Sequence, residues 1–359
     1  MRNTFLTILL VLIGSISFVA FKSNAGIPEK TINAESYQDI SPSIKQTTIP
    51  TQKDLPSDYH VYQSFNNCGP ASLSLALSHY GIRVPQEELG QALRPYQNLM
   101  GDNDDKSVTL DELGEKAKDY NLIPYHRPDG DIELLTRLIA LDLPVITRTW
   151  LETNEDIGHY RVVTGYDQSS QEIIQDDSYQ GPNRRYPYDE FNELWSKFSY
   201  EYLVLVPPEK KNEVEEVLGE EIDATIAWQN AKEKSQQILA DNHEDTTARF
   251  NLSVAEYHLG NYKESVTQYE TVKDQLPFRT LWYQSEPIRA YYELGDYETV
   301  FSITDNILSN QNRAYSELYI IRGDSYKNLN NLEAAKKEYE KAIYYNENLQ
   351  TAKDRLNNL

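Results

Sequence analysis

The chain of 359 residues contains a single cysteine, Cys68. It lies in the stretch Q-S-F-N-N-C-G-P-A-S-L-S-L-A-L-S-H-Y, which runs from Gln63 to Tyr80 and is followed by Gly81. Pro70 suits the first turn of a helix, and glycine is a typical residue just past a helix end. We therefore expect Cys68 at or one residue before the start of a buried helix, where unpaired N–H groups and the helix dipole favour a thiolate.

A lone cysteine is more often a small buried hydrophobic residue than a nucleophile. Nucleophilic catalysis needs a base for the thiol proton, a third group that orients the base, and donors for the oxyanion. Of the six histidines, His159 is the best candidate for the base, because it opens the strand-like run H-Y-R-V-V-T-G-Y. His79 lies on the same predicted helix as Cys68, about 16 Å along its axis. The other four histidines have no distinctive context: His60, His126, His243 and His258.

The composition narrows the classes of ligand. The chain has 34 basic and 56 acidic residues and a net charge of -22, which argues against nucleic acid as a partner. With no second cysteine, no paired-histidine helix motif and no glycine-rich phosphate loop, we expect neither a metal nor a cofactor. The segment G-D-N-D-D-K-S, Gly101 to Ser107, resembles a calcium loop but lacks its glycine and glutamate, so it is interpreted as an acidic turn.

The N-terminus indicates export. Phe5 to Phe21 form an almost unbroken apolar run, and small residues stand at Ser23 and Ala25. Residues 1–25 therefore resemble a signal peptide cleaved after Ala25, with an uncleaved membrane anchor as the alternative. In both cases we expect the mature chain to be secreted or to lie on the extracytoplasmic face of the membrane. A lone cysteine in an exported chain cannot form an internal disulfide, which favours a reactive role for Cys68.

The pattern of the chain predicts two folded parts after a polar linker at residues 26–53. Residues 54–208 begin with helical spacing and continue with strand-like runs, which indicates an α+β domain. Within it, Thr109 and Glu112 are spaced as a capping box. The strand-like runs are 122–126, 144–150, 160–166, 172–176 and 202–206.

Residues 209–359 are helical and charge-rich, with an internal repeat. Gly260, Gly295 and Asn330 are spaced by 35 residues, and each is followed two residues later by a tyrosine or a leucine. This spacing resembles tetratricopeptide repeats (TPR), with the third unit as the clearest. Pro287 falls inside a predicted helix, and Ala224 to Ala240 are interpreted as a helix that caps the array. We expect most of the tyrosines to pack between helices and the array to bind a protein partner.

The motifs N-N-C-G-P-A-S-L-S-L-A-L, G-H-Y-R-V-V-T-G-Y-D and D-D-S-Y-Q-G-P together resemble the C39 and C39-like cysteine peptidases over about residues 56–206. The resemblance implies a papain-like α+β fold, followed here by an all-α TPR solenoid. It implies Cys68 as the nucleophile, His159 as the general base and Gln63 as an oxyanion-hole residue. The acid that orients His159 would be Asp177, with Asp176 as the fallback. Adjacent strand residues face opposite sides, so only one of the two can point at His159.

Three functions are compatible with these residues. The first is an exported peptidase that hydrolyses peptide bonds with a Cys-His-Asp triad while the repeats recruit a protein substrate or partner. The second is a non-catalytic scaffold in which the repeats are the protein-binding module. The third is another acyl transfer on the same fold. The sequence specifies neither the substrate nor its cleavage preference.

Overall fold

The structure, a computed structural model, describes residues 49–96, 108–310 and 312–359. The predicted signal peptide or anchor, most of the predicted linker and the acidic turn at Gly101 to Ser107 lie outside these ranges. The strands are β1 (Gln52–Asp54), β2 (Ile123–Arg127), β3 (Val145–Trp150), β4 (Gly158–Asp167), β5 (Glu172–Asp177), β6 (Gly181–Pro187) and β7 (Tyr202–Val206).

The helices fall into two groups. Six accompany the strands: α1 (Cys68–Ser78), α2 (Gln86–Leu93), α3 (Leu110–Ala117), α4 (Ile132–Ala140), α5 (Tyr188–Ser196) and α6 (Lys211–Leu218). Nine follow them: α7 (Ala224–Asp241), α8 (Thr246–His258), α9 (Tyr262–Val272), α10 (Thr280–Tyr283), α11 (Glu286–Glu293), α12 (Tyr297–Asn310), α13 (Ser316–Asn328), α14 (Leu332–Tyr345) and α15 (Gln350–Asn357). The strands with α1–α6 make up the sheet domain, and α7–α15 make up the repeat region.

The seven strands of the described ranges form one antiparallel sheet in the order β2-β7-β3-β4-β5-β6, with β1 paired to the end of β4. Strand β7 shows why helices cover both faces. Leu203 and Leu205 pack with α1–α3, whereas Tyr202, Val204 and Val206 pack with α4–α6 on the other side. Alternate residues of a strand point to opposite faces, so an uninterrupted apolar strand requires a helical layer on each side.

Helix α1 lies in the middle of one layer. Its residues from Gly69 to Leu77 are all buried, and Cys68 is its first residue, as the sequence predicts. The capping box is also confirmed, because Thr109 accepts from the Glu112 backbone and Glu112 accepts from the Thr109 backbone at the start of α3. The antiparallel sheet with its helices and the helical C-terminal region confirm the predicted fold class.

Two strands were not expected from the sequence. Strand β6 has the sequence G-P-N-R-R-Y-P, whose glycine, prolines and charges are typical of a turn. It forms because β5 offers an unpaired edge, and four of its seven residues are exposed in succession. Strand β1 covers residues 52–54, at the end of the predicted linker. Its close approach to β4 is possible because Gly165 has no side chain; a Cβ there would lie 2.7 Å from the Lys53 carbonyl oxygen.

The 35-residue spacing marks the turns between paired helices of the repeat region. Gly260, Gly295 and Asn330 precede α9, α12 and α14, and each adopts a left-handed backbone, with φ of +77°, +76° and +57°. Glycine and asparagine tolerate this conformation best. Pro287 is the second residue of α11, where its missing N–H leaves no helical bond unmade. The helices therefore pair as α8 with α9, α11 with α12, and α13 with α14.

The repeat region packs directly against the sheet domain, and residues 49–96, 108–310 and 312–359 belong to one compact unit. Arg94, at the end of α2, forms ion pairs with Glu112 at 2.7 Å and with Glu317 of α13 at 2.6 Å. Arg279, just before α10, forms another with Asp156 at 2.6 Å. Apolar contacts support these pairs, because Phe198 and Trp150 of the sheet domain pack into the core of the repeat region.

His126 of β2 bonds one carboxylate in the first turn of α3 and another just before β7. Its Nδ1 lies 2.7 Å from Asp111 and its Nε2 2.8 Å from Glu201. Burial opposes protonation, but the two hydrogen-bonded carboxylates outweigh it and raise the pKa of His126 to about 9. The folded state therefore holds a proton that the unfolded chain releases near pH 6.5.

We expect the free energy of unfolding to lose about 3 kcal/mol from His126 as the pH rises from 6.5 through 9, because the raised pKa stabilises the folded state fully only below the unfolded value. Urea unfolding at pH 6 and pH 9.5 measures this loss. The His126→Gln variant should show a smaller pH dependence, whereas the exposed His243→Gln control should match the wild type. An unchanged pH dependence in His126→Gln would contradict the assignment.

Candidate active site

Cys68 begins α1 and is half-buried. The residue before it, Asn67, is 4% exposed. Its side-chain amide packs against Gly90 of α2, where a Cβ would lie only 2.7 Å from Asn67 Oδ1. Its Nδ2 donates to Ser64 Oγ at 2.8 Å. The chain entering α1 is therefore fixed against α2, and the cysteine is presented at the helix N-terminus.

The first turn of α1 rests on the beginning of β4. A Cβ on Gly69 would lie 3.3 Å from Val108 and 3.5 Å from the ring of Tyr160, so only glycine allows this approach without displacement. One turn later, Ser72 donates its hydroxyl to the Tyr160 carbonyl at 3.2 Å. Tyr160 follows His159 in the chain, so the helix end that carries Cys68 lies beside the residue next to His159.

His159 is bonded to Asp177 inside the sheet. Its Nε2 lies 2.9 Å from Asp177 Oδ1, and both side chains are buried, His159 at 3% and Asp177 at 0% exposure. His159 is the second residue of β4 and Asp177 the last of β5, the neighbouring strand. The bond leaves Nδ1 of His159 as the ring nitrogen available for proton transfer.

Asp177 accepts three hydrogen bonds besides the one from His159. Its Oδ2 takes a hydrogen bond from Arg161 Nε at 2.9 Å, and its Oδ1 accepts the backbone N–H groups of Tyr179 and Gln180. Arg161 is fully buried and donates its remaining N–H groups to the Thr149 hydroxyl and to backbone carbonyls of the β3 end. The carboxylate is therefore held in one orientation by four donors.

The two adjacent aspartates have separate roles in the structure. Asp176 accepts from the Asn183 backbone N–H of β6 at 2.9 Å, whereas Asp177 bonds His159. The residue order along a strand explains the difference, since neighbouring side chains point to opposite faces. An irregularity in the β5–β6 pairing between Gln175 and Asp177 sets the position of the last residue.

The electrostatics of the pair follow from its burial. Burial lowers the pKa of His159 below the ordinary histidine value, although the carboxylate of Asp177 opposes the shift. Burial pushes the pKa of Asp177 upward, but the hydrogen bond from His159 and the charge of Arg161 outweigh it and hold that pKa well below its usual range. Asp177 is therefore ionised at neutral pH, and the imidazole returns to its neutral form easily.

Gln63 is tied to the residue that follows Asp177. Its backbone N–H donates to the Ser178 carbonyl at 2.8 Å, and its Oε1 accepts the Ser178 hydroxyl at 2.8 Å. This pairing fixes the side-chain amide and leaves Nε2 as the donor end. These two hydrogen bonds join the end of the strand that carries Asp177 to the loop that leads to Cys68.

The other histidines lie elsewhere. His126 is bound between Asp111 and Glu201. His79 caps the far end of α1, and His258 stacks on Trp228 in the repeat region. The ring of His60 meets Tyr62 edge-on. Of the five histidines besides His159, none is bonded to Asp177 in the described part of the chain.

Two residues next to the His159–Asp177 pair were missed by the sequence reasoning. Arg161 stands two residues after His159 and therefore on the same face of β4, so strand alternation alone would have indicated it. Tyr283, at the end of α10, packs its ring against Gly158, where a Cβ would lie 3.1 Å from the ring. No local pattern connects Tyr283 with His159, because the contact forms between the sheet domain and the repeat region.

Among the described residues, no group of three or more histidine, cysteine, aspartate or glutamate side chains is arranged to hold a metal ion. In the same ranges, every helix is too short or too polar to cross a membrane.

Comparisons with known proteins identify two regions. Residues 42–203 match the model of the Peptidase_C39 like family, and residues 316–349 match a tetratricopeptide repeat. A search of curated proteins found no match.

Two solved structures are similar to the chain. One is a protein from Bacillus anthracis described as a C39-like peptidase, with 17% identity, a TM-score of 0.35, and coverage of 45% of this chain and 96% of that one. The other is the peptidase domain of Streptococcus ComA, a bi-functional ABC transporter, with 24% identity, a TM-score of 0.32, and coverage of 41% and 96%. From the family matches, the chain carries a C39-like peptidase domain followed by a helical region with a tetratricopeptide repeat.

Proposed function

We propose that the protein is a cysteine peptidase that hydrolyses peptide bonds with Cys68, His159 and Asp177. The observation that carries the proposal is the buried bond between His159 Nε2 and Asp177 Oδ1, beside the start of the helix that carries the chain's single cysteine. A buried imidazole bonded on one nitrogen to an ionised carboxylate is suited to act as a base through the other nitrogen.

In the proposed reaction, Nδ1 of His159 takes the proton of Cys68, and the thiolate attacks the carbonyl carbon of the peptide bond. The negative charge that develops on the carbonyl oxygen is stabilised by Gln63 Nε2 and the Cys68 backbone N–H. The imidazolium then gives its proton to the departing amine as the C–N bond breaks. A water molecule, deprotonated by His159, attacks the thioester and releases the acid and the Cys68 thiol.

In this scheme, Asp177 and Arg161 determine how readily His159 takes up and releases a proton. The carboxylate stabilises the imidazolium that forms when the thiol loses its proton. Arg161 shares the same carboxylate and so limits how strongly it holds the imidazolium. The proton on His159 therefore remains available to the leaving amine.

The location and the partner are also part of the proposal. The apolar N-terminal run supports export, with the mature domain outside the cytoplasm and an uncleaved anchor as the alternative. The repeat match and the paired helices support recruitment of a protein substrate or partner by the repeat region.

Alkylation by iodoacetamide at pH 6 tests the nucleophile, and the single cysteine makes the labelled site unambiguous. A thiol of ordinary pKa is only about 0.3% ionised at this pH, so rapid labelling requires an activated thiolate. We expect the wild type to react at least about tenfold faster than His159→Ala. The matched control is His79→Ala, which removes the other histidine that adjoins α1 and should label at the wild-type rate.

Incubation of the protein with a peptide library tests the reaction, and mass spectrometry identifies the products. Cleaved peptides from the wild type and none from Cys68→Ala support hydrolysis. Transfer products without cleavage would favour another acyl transfer. Labelling of the wild type as slow as that of His159→Ala would instead favour the non-catalytic scaffold.

A further inference from the structure

Gln63 lies in the segment between β1 and α1, where residues 55–67 form neither helix nor strand. The neighbouring aromatic rings do not hold it by packing, because Tyr62 and Phe65 are 65% and 50% exposed. A donor that stabilises an oxyanion must be in place before the charge develops. The backbone of Gln63 must therefore be fixed by hydrogen bonds to other parts of the chain.

Gln86, the first residue of α2, supplies two of these bonds. Its Nε2 donates to the Tyr62 carbonyl at 2.7 Å, and its Oε1 accepts the Ser64 backbone N–H at 2.9 Å. One side-chain amide therefore bonds both the residue before Gln63 and the residue after it. Gln86 is only 5% exposed, and hydrogen bonds are stronger in such a low-dielectric setting.

The peptide unit between Tyr62 and Gln63 is bonded at both ends. Its carbonyl accepts from Gln86, and its N–H donates to the Ser178 carbonyl at 2.8 Å. The next peptide unit is bonded to Gln86 through the Ser64 N–H. Because peptide units are planar, bonds to both units fix the two backbone dihedrals of Gln63 and hence the direction of its side chain.

Helix α2 also holds the other end of the same segment. Gly90 lies one turn after Gln86 on the same face of the helix, and Asn67 packs against it directly before Cys68. Gln86 and Gly90 are about 6 Å apart along the helix axis. One rigid helix therefore holds the chain at both oxyanion donors of the proposed reaction, Gln63 Nε2 and the Cys68 N–H.

We propose, on the basis of the proposed function, that Gln86 is a positioning residue for the peptidase reaction. Its amide holds the Gln63 backbone so that Gln63 Nε2 points at the developing oxyanion. Gln86 does not contact the substrate in this scheme and acts only through Gln63. It therefore affects the step in which the carbonyl oxygen becomes charged and leaves the thiolate of Cys68 unaltered.

The test measures kcat and KM of Gln86→Met and Gln63→Ala in the full chain, on the library peptide that the wild type cleaves fastest. Methionine is close to glutamine in size and replaces neither hydrogen bond. We expect Gln86→Met to lower kcat about 10²-fold and to change KM less than about threefold, because a displaced donor affects mainly the transition state. Gln63→Ala should lower kcat about 10²–10³-fold.

The double variant, Gln63→Ala with Gln86→Met, separates positioning from a general loss of structure. If Gln86 acts through Gln63, the double variant should be slower than Gln63→Ala by no more than about threefold. Independent effects would instead multiply to a loss of about 10⁴–10⁵-fold, which would overturn the proposal.

Alkylation of Cys68 by iodoacetamide at pH 6 gives a readout without an oxyanion. The thiolate displaces iodide from a saturated carbon, so Gln86→Met should label at the wild-type rate although its kcat falls. Slower labelling of Gln86→Met would show that the substitution disturbs the thiolate itself and would overturn the proposal.

Asn251→Leu is the matched control, because it removes another buried side-chain amide. Asn251 is 4% exposed, and its Nδ2 donates to the Ser196 carbonyl at 2.7 Å. Neither residue adjoins Gln63, so kcat should stay within about threefold of the wild type.

Gln86→Glu keeps the test decisive if Gln86→Met fails to fold. Its carboxylate still accepts the Ser64 N–H but has a donor for the Tyr62 carbonyl only when protonated. Its kcat relative to the wild type should therefore rise as the pH falls from 8 to 5, and a constant ratio would contradict the proposal. A wild type that cleaves no peptide would overturn the proposed function and the role of Gln86 with it. An active wild type beside a folded Gln86→Met of unchanged kcat would overturn the role of Gln86 alone.

Discussion

The Asp177→Asn variant is expected to lose about 3–5 kcal/mol of folding free energy and, under the proposed function, roughly 10⁴-fold in peptidase activity. The asparagine amide has one acceptor where the carboxylate serves four donors, and its NH₂ group must face either His159 or Arg161, which are both donors. The charge that compensates buried Arg161 is lost as well. Urea unfolding measures the first loss, and kcat/KM on a peptide that the wild type cleaves measures the second.

Asp176→Asn is the matched control, because it makes the same change at the neighbouring buried residue. Asp176 accepts a single backbone N–H, from Asn183, and an asparagine oxygen can accept it equally well. We expect a change of under about 1 kcal/mol in stability and an activity within a few-fold of the wild type. The reverse outcome, with Asp176→Asn inactive and Asp177→Asn active, would show that Asp176 is the acid of the site.

Arg94→Met is expected to destabilise the protein by about 3 kcal/mol, because it leaves Glu112 and Glu317 without the buried cation that joins them. The loss should appear as a single shifted unfolding transition, because the Arg279–Asp156 pair and the packing of Phe198 and Trp150 still hold the sheet domain against the repeat region. Tryptophan fluorescence and circular dichroism during urea unfolding measure the midpoint with two independent probes.

The matched control for Arg94 is Arg83→Met. Arg83 pairs with Asp58 at 2.6 Å, the same distance, but both side chains are exposed, at 50% and 87%. Such surface pairs contribute about 0–1 kcal/mol, so the variant should unfold close to the wild type. Two transitions in Arg94→Met, one for each part, would show that other contacts do not hold the two parts together.

Local patterns in the sequence predict those features that depend on local chemistry. Pro70 and the apolar run locate α1, and the Thr109–Glu112 spacing gives the capping box of α3. The repeat positions at Gly260 and Gly295 are visible because a left-handed backbone strongly selects residue type.

Features that depend on pairing between distant segments are not visible in this way. The sequence leaves Asp176 and Asp177 as alternatives, because the choice depends on the register of β5 against its neighbours. Strand β6 resembles a turn and becomes a strand only at the edge that β5 offers. The contact of Tyr283 with Gly158 requires the whole repeat region to be in place.

That contact has a consequence for the order of events during synthesis. Tyr283 follows Gly158 by 125 residues in the chain. At about 5–20 residues per second, a ribosome needs roughly 6–25 s to make this interval. The strand bearing His159 is therefore without its aromatic neighbour while the repeat region is being synthesised. A nascent chain halted before Tyr283 would have all four candidate site residues and an open flank beside them, so full maturation of the site is delayed until the C-terminal part of the chain has been made.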